Sequence, residues 1–157
     1  MNFRPMRRFR QQLSEEECIR ILHEEKRGVL ALSGEGGYPY AVPINFVYDD
    51  GKIYVHCAGE GHKIDAVNAC DKFSFCVCQQ EEKPKDDWAY FVSSVIVFGR
   101  ARLLTDRKEI IEKCRLLGLK YYPNAQEVEA ELQKDGSRVA CIELYIEHMT
   151  GKRVHEK

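Results

Sequence analysis

The amino-acid sequence predicts a mainly β fold, a small antiparallel barrel of six strands with peripheral helices. The first observation is a succession of six segments rich in β-branched and aromatic residues, separated by turn residues. The second is a hairpin signal, Asp49-Asp50-Gly51, between two of these segments. Successive hairpins tend to close into a barrel, because closure removes exposed edges. The length of 157 residues suits a single domain over 1–157.

The elements follow in order along the chain. Ser14 and Glu17 form a capping-box pattern, which predicts a helix of about three turns that ends near Gly28. Gly99 predicts a bulge or bend in a long strand. Strands are predicted over residues 28–33, 38–48, 52–57, 72–79, 93–104 and 137–147. Further helices are predicted up to residue 69, from 106 to 118 and from 125 to 134, and a basic arm (1–12) and a polar C-terminal tail (148–157) flank the domain.

The composition excludes several classes of function. The formal net charge is −1 and no run is long and apolar enough for a membrane span, so neither nucleic acid nor a membrane is a predicted partner. The first residues are polar and rich in arginine, so we expect no secretory signal and predict a cytoplasmic protein. The arm at 1–12 is predicted to be a solvated or partner-docked tail.

The seven cysteines are interpreted as small buried hydrophobic residues of a reduced protein, because their number is odd and most lie in apolar segments. Cys76 and Cys78 are separated by one residue, and no second Cys or His pair lies at zinc-finger spacing. Buried packing is therefore favoured over zinc, and no metal site is predicted.

The first candidate site is the stretch VHCAGEGHKIDAV at 55–67. Gly59 and Gly61 follow a predicted strand, and His62 and Lys63 open a predicted helix. A helix N-terminus has unpaired N–H groups and a positive dipole end, so a cation there is mildly unfavourable unless an anion joins it. A tight turn with a solvated lysine and a site for a phosphate both remain open at this point.

The second candidate is the predicted strand at 38–48. Pro43 donates no ladder hydrogen bond, so this strand needs a free edge or a bulge. A protected edge strand and a strand whose free backbone groups bind a flat heterocycle are equally open, and Asn45 and His56 could line such a pocket. Ser94, near the start of an apolar strand, is by itself an ordinary strand-end residue.

Three stretches together resemble the FMN-binding split-barrel family, which includes pyridoxine (pyridoxamine) 5′-phosphate oxidase, and within it the 5-nitroimidazole-resistance type. They are YPYAVPINFVYDDGKIYVHCAGEGHKID at 38–65, SSVIVFGRARLL at 93–104 and TGKRV at 150–154. The resemblance implies a six-stranded antiparallel split β-barrel of the FMN-binding type. It also implies FMN as cofactor and a homodimer with its flavin sites at the interface.

The same resemblance implies a set of site residues. The strand 41–45 would run along the isoalloxazine, and Val55 and His56 would lie beside the ring and the ribityl chain. His62 and Lys63 match two basic positions that hold the FMN phosphate, and Ser94 matches a polar position that reaches the flavin from the neighbouring subunit. The implied cofactor-binding residues are Val42, Pro43, Ile44, Asn45, Val55, His56, His62, Lys63 and Ser94.

The implied activity is that of an FMN-dependent oxidoreductase, with His56 as the catalytic residue. A reduced nicotinamide or another donor would supply electrons, and a small aromatic or nitro-type molecule would accept them. His62 stands where the pyridoxine oxidases have arginine, and their C-terminal substrate-binding motif is not recognisable, so pyridoxamine phosphate oxidation is not expected. The alternatives are a non-catalytic flavin- or haem-binding carrier, sensor or storage protein, and a cofactor-free barrel that binds another phosphate ligand.

Overall fold

A computed structural model describes residues 3–80 and 83–157. Within these residues the chain forms four α-helices and seven β-strands. The helices are α1 (Glu15–Glu24), α2 (His62–Ala69), α3 (Arg107–Tyr121) and α4 (Ala125–Asp135). The strands are β1 (Arg27–Ser33), β2 (Pro39–Asn45), β3 (Val47–Asp49), β4 (Lys52–Cys57), β5 (Lys72–Gln80), β6 (Phe91–Leu103) and β7 (Ala140–His155).

The strands form one antiparallel sheet in the order β2-β1-β5-β6-β7-β4-β3. The sheet curls into a split-barrel-like half-barrel, which confirms the predicted fold class. Its inner face carries the main hydrophobic core, with Phe75, Leu30, Ile53 and Ile142 fully buried. A second, smaller cluster lies on the outer face, where α3 packs against β4 and β7.

The sheet has seven strands rather than the predicted six, because the segment 38–48 is broken at Phe46. The Tyr121 hydroxyl lies 2.8 Å from both the backbone nitrogen and the backbone oxygen of Phe46. These backbone groups are therefore satisfied by a side chain instead of a neighbouring strand. The Phe46 ring is fully buried and packs edge-on against Phe75, with ring centroids 5.0 Å apart.

The predicted polar tail at 148–157 is wrong for most of its length, since β7 continues to His155 and pairs with β6. The predicted bulge is confirmed, because the register between the two strands shifts at Gly99. A Cβ at Gly99 would lie 1.9 Å from the Tyr145 carbonyl oxygen, so a side chain does not fit there. Beyond the bulge, Gly151 packs against α1, where an added Cβ would lie 2.4 Å from the Cys18 sulfur.

Most described residues of the N-terminal arm are exposed to solvent, and two of them contact β7 of the same chain. The ring of Phe3 stacks on His148 of β7 with centroids 4.5 Å apart, and Gln12 forms an isolated bridge with Lys152. The first two residues of the predicted arm lie outside the described residues. The arm therefore covers part of the outer face of β6 and β7.

Two helix predictions differ in outcome. The capping box at the start of α1 is confirmed, because Ser14 and Glu17 exchange both of its hydrogen bonds. The predicted end of α3 at Gly118 is wrong, because the helix continues to Tyr121. Gly118 instead allows α4 to approach, since a Cβ there would lie 2.8 Å from a methyl group of Val128.

The seven cysteines are all free thiols, but they are not uniformly buried. Cys18, Cys114 and Cys141 are buried, whereas Cys78 is exposed, so the predicted buried packing of the 76–78 pair is wrong at Cys78. Cys76 and Cys78 lie on the outer face of β5, which helices leave uncovered. No helix within the described residues is long and apolar enough to cross a membrane.

Candidate functional site

The N-terminus of α2 differs from the N-termini of the other three helices. Ser14, Asp106 and Asn124 cap α1, α3 and α4 by accepting a hydrogen bond from a backbone N–H of the first turn. At α2 the capping residue is Gly61, which has no side chain to offer and a φ of 117° that favours glycine. The first N–H groups of α2 are therefore available to an acceptor from outside the chain.

The two basic residues of α2 stand at this uncapped end. His62 is exposed, and its ring stacks on Tyr40 of β2 with centroids 4.0 Å apart and an interplanar angle of 24°. Lys63 is half-buried and lies close enough to His56 for its ammonium to affect that imidazole. The start of α2 is thus connected to β2 on one side and to the end of β4 on the other.

His56 and Val55 project from opposite faces of β4. Val55 is fully buried in the barrel core, whereas His56 lies on the outer face, directly across the ladder from Cys141 of β7. His56 is exposed, but its partial burial is the main factor that lowers the pKa of its imidazole below the ordinary value of 6.5, and the Lys63 ammonium adds to it. The imidazole is therefore neutral at neutral pH.

The β2 strand lies at one edge of the sheet and, among the described residues, pairs with β1 alone. Val42 and Ile44 turn inward and pack against the same core as Val55. Pro43 is exposed on the outer face, and Asn45 at the end of the strand is half-buried. The predicted free edge is confirmed, and it leaves backbone groups of β2 unpaired by the sheet.

Ser94 is separated from the other predicted site residues within the protomer. It lies on β6, three strands away from β2 in the sheet, which corresponds to about 14 Å at ordinary strand spacing. There it lines a shallow groove with Arg4 of the arm and with His148 and Lys152 of β7. Contacts therefore connect β2 to α2 through Tyr40 and His62, and α2 to β4 through Lys63 and His56, whereas Ser94 lies three strands from β2.

The structure also shows a pocket next to His56 that sequence reasoning missed. It lies between α3, α4 and the start of β7, and has a volume of about 220 Å³. Leu117, Val128, Leu132 and Val139 contribute most of its apolar wall. No sequence signal could have found it, because it arises from the angle at which two amphipathic helices meet the sheet. Within the described residues no group of three or more His, Cys, Asp or Glu side chains is arranged to hold a metal ion.

A curled antiparallel sheet with helices on its outer side defines a β protein of the split-barrel class. A family model for pyridoxamine 5′-phosphate oxidase matches residues 14–153, so the chain belongs to the pyridoxamine 5′-phosphate oxidase family. No functionally curated protein is similar enough in sequence to count as a match.

Several solved structures share the fold. A Bacteroides thetaiotaomicron protein, provisionally named a 5-nitroimidazole antibiotic resistance protein, is 18% identical with a TM-score of 0.77, over 92% of this chain and 87% of that one. A FAD-binding protein of Mesorhizobium loti is 24% identical with a TM-score of 0.68, over 91% and 96%. A FAD and haem binding protein of Mycobacterium smegmatis is 18% identical with a TM-score of 0.73, over 94% and 74%. At these identities the similarity concerns the fold.

Proposed function

We propose that this chain is an FMN-binding oxidoreductase that reduces a small aromatic or nitro-type molecule beside His56. Its membership of the pyridoxamine 5′-phosphate oxidase family supports an oxidoreductase. The names of two similar structures, both FAD-binding proteins, support a flavin. The choice of FMN over FAD rests on the resemblance of the three sequence stretches to the FMN-binding split-barrel family.

The uncapped N-terminus of α2 is the observation that carries this proposal. Its free N–H groups and the positive end of the helix dipole suit a terminal phosphate. The His62 ring and the Lys63 ammonium flank the same point, and Gly59 and Gly61 leave open space, since an added Cβ at either would meet no atom within 4 Å. The residues present therefore fit the phosphate of a flavin mononucleotide.

The β2 strand suits the isoalloxazine ring of the cofactor. Its unpaired backbone groups, with Val42, Pro43, Ile44 and Asn45, offer donors and acceptors to the amide-like edge of an isoalloxazine. Val55 underlies this region from within the barrel. The flavin, when bound, supplies the electron-transfer chemistry, while the protein fixes its position and electrostatics.

His56 is the proposed catalytic residue. A neutral imidazole can accept a hydrogen bond or a proton from a substrate, and its lowered pKa keeps it neutral at neutral pH. The electron donor of this proposal is a reduced nicotinamide or a comparable small reductant. The seven free thiols support a reducing compartment, and we assign the protein to the cytoplasm.

A homodimer completes the proposed site. The outer face of the sheet presents a row of residues in register across five strands, and helices leave it uncovered. The row consists of Pro43, Val29, Cys76, Ile96 and Thr150. Ser94 shares this face with Pro43, so a second copy docked about a two-fold axis would bring its Ser94 towards the β2 strand of the first.

The visible absorption spectrum of the purified protein tests the proposal, recorded before and after addition of FMN or FAD and gel filtration. We expect a flavin spectrum with about one FMN per chain, as for a single-site flavoprotein. Lys63→Ala should weaken FMN binding about tenfold or more, because a hydrogen bond from a charged group to phosphate is lost. Lys72→Ala, which removes an exposed lysine from β5, is the matched control and should bind FMN normally.

A protein that stays colourless with both flavins would refute the proposal. Loss of binding in Lys72→Ala as strong as in Lys63→Ala would refute the phosphate site. If flavin binds, His56→Ala should slow turnover with reduced nicotinamide while retaining the flavin. Unchanged turnover of every accepted substrate would rule out a catalytic role for His56.

A second candidate is a non-catalytic flavin or haem holder, which the similarity to the FAD and haem binding protein of Mycobacterium smegmatis favours. The same spectrum distinguishes the two cofactors, because haem has a sharp and intense band that flavin lacks. Bleaching of the flavin bands by a nicotinamide donor would support the enzyme. A bound flavin that no donor reduces would support the holder.

A further inference from the structure

The pocket next to His56 is built by packed secondary structure. Gly118 of α3 and Val128 of α4 touch so closely that no side chain fits at position 118. Arg115 and Glu129 form an ion pair between the same two helices. On the sheet side, Cys114 and Leu117 of α3 are buried in the smaller hydrophobic cluster. The walls of the pocket are thus fixed by contacts that do not depend on a ligand.

The pocket is lined by both apolar and polar residues. Leu117, Val128 and Leu132 are in its apolar wall, and His56, Glu131 and Asp135 line it as well. These three polar side chains can accept hydrogen bonds beside the apolar wall.

The two carboxyl groups at the pocket differ in their basic partners. A hydrogen bond from Arg138 is the main factor that holds the pKa of Asp135 below its ordinary range, so this carboxylate is ionised at neutral pH. Glu131 is exposed and, within the described residues, has no ion pair with a basic side chain. These two carboxyl groups therefore favour a ligand that brings positive charge or N–H donors.

The size of the pocket suits a single ring. A dry apolar cavity of about 150 Å³ holds benzene, whereas drug-sized ligands occupy about 300 Å³ or more. A volume of about 220 Å³ lies between these two cases.

We propose that this pocket binds a small single-ring aromatic molecule with an amino or amidine group, its ring among Leu117, Val128 and Leu132 and its cationic group at Glu131. Binding itself is independent of the flavin. The inference rests on the proposed function only in that His56, the proposed catalytic residue, lines the same pocket.

Titration of the full-length protein with benzamidine, followed by backbone amide NMR, tests the proposal in the absence of added flavin. We expect saturable shifts of the Gly118, Leu132 and Gly136 amides. Benzoate, which has the same ring and the opposite charge, should give much smaller shifts. Leu132→Trp fills the pocket and should abolish the benzamidine shifts, while its flavin absorbance should equal that of the wild type.

Glu131→Gln should weaken benzamidine binding about threefold, as for an exposed ion pair. Glu112→Gln makes the same change in charge on α3 outside the pocket and should leave the affinity unchanged. Absence of shifts, equal shifts in Leu132→Trp, or equal binding of benzoate would overturn the proposal. A colourless protein that still binds benzamidine would instead refute the flavin proposal and retain the pocket.

Discussion

The two halves of the outer sheet face differ in what covers them. On β4 and the first part of β7, Tyr54, Cys141 and Glu143 are buried beneath α3. On β1 and β6, Val29, Ile96 and Phe98 are 38%, 36% and 40% exposed, although they occupy equivalent outward positions in the strands. We call these the covered half and the bare half.

The difference shows that a strand's own sequence does not decide whether its outer face is buried. Both halves alternate inward and outward residues in the usual way for strands. The covered half owes its burial to α3, which the chain places after β6 and before β7. The bare half has an apolar surface that no helix covers. The N-terminal arm covers only part of it, with the ring of Phe3 stacked on Phe98, and the proposed partner subunit would bury the rest.

The largest expected effect on the stability of the protomer comes from the covered half. Leu117→Ala should lower the free energy of unfolding by about 2–4 kcal/mol, because it leaves a cavity between α3 and the sheet. Ile96→Ala on the bare half should act only through subunit association, so its effect should depend on protein concentration. Urea unfolding at two protein concentrations measures both. An equal, concentration-independent loss in the two variants would contradict the contrast between the halves.

A smaller effect is expected at Glu143, also in the covered half. Burial alone would raise the pKa of Glu143, but contacts with Arg102, Lys52 and Tyr54 outweigh it and lower the pKa below the ordinary value of 4.5. A carboxyl group with a lowered pKa stabilises the folded protein at pH values above its pKa in the unfolded chain. This stabilisation is lost as the pH falls through its pKa in the folded protein.

Glu143→Gln should therefore cost about 1–2 kcal/mol at neutral pH, since its charged partners Arg102 and Lys52 are partly exposed and can be hydrated. Below pH 4.5 the difference between wild type and variant should shrink. Urea unfolding from neutral to acidic pH checks this. A difference that stays constant across the range would show that Glu143 is not ionised in the folded protein.

The smallest effect on the protomer itself is expected from Ile96→Arg on the bare half. As a surface substitution it should change protomer stability by about 0.5 kcal/mol or less. It should nevertheless convert the proposed dimer to a monomer, because it puts a charge within the row that the partner would cover. Light scattering after gel filtration gives the mass. Leu119→Arg is the control, since Leu119 is a 52% exposed apolar residue on α3, away from the row.

The parts of the fold that sequence could predict are those encoded locally. The capping box of Ser14 and Glu17 and the bulge at Gly99 need only a few neighbouring residues. The break at Phe46 depends on Tyr121, which is 75 residues away, so no local pattern could predict it. The sequence pattern did not predict the extension of β7 to His155, because the outward residues there are polar and the pairing comes from the β6 strand.

The same distinction applies to the candidate site. The adjacent glycines predicted that His62 and Lys63 stand at the start of a helix. Pro43 predicted a free strand edge. The separation of Ser94 from these residues follows from the strand order, which a sequence of hairpins does not reveal. The pocket at His56 needs the tertiary contact of Gly118 with Val128, and therefore could not be predicted.

The position of β7 in the sheet has a consequence for how the protein is made. It joins the β2-β1-β5-β6 block to the β4-β3 pair, yet it follows all the strands of both parts along the chain. Until it emerges, β4 lacks the partner that satisfies one of its edges, and the inner residues of both parts remain exposed to water. Folding during synthesis therefore cannot be completed strand by strand, and the nascent chain stays vulnerable to aggregation until β7 has been made.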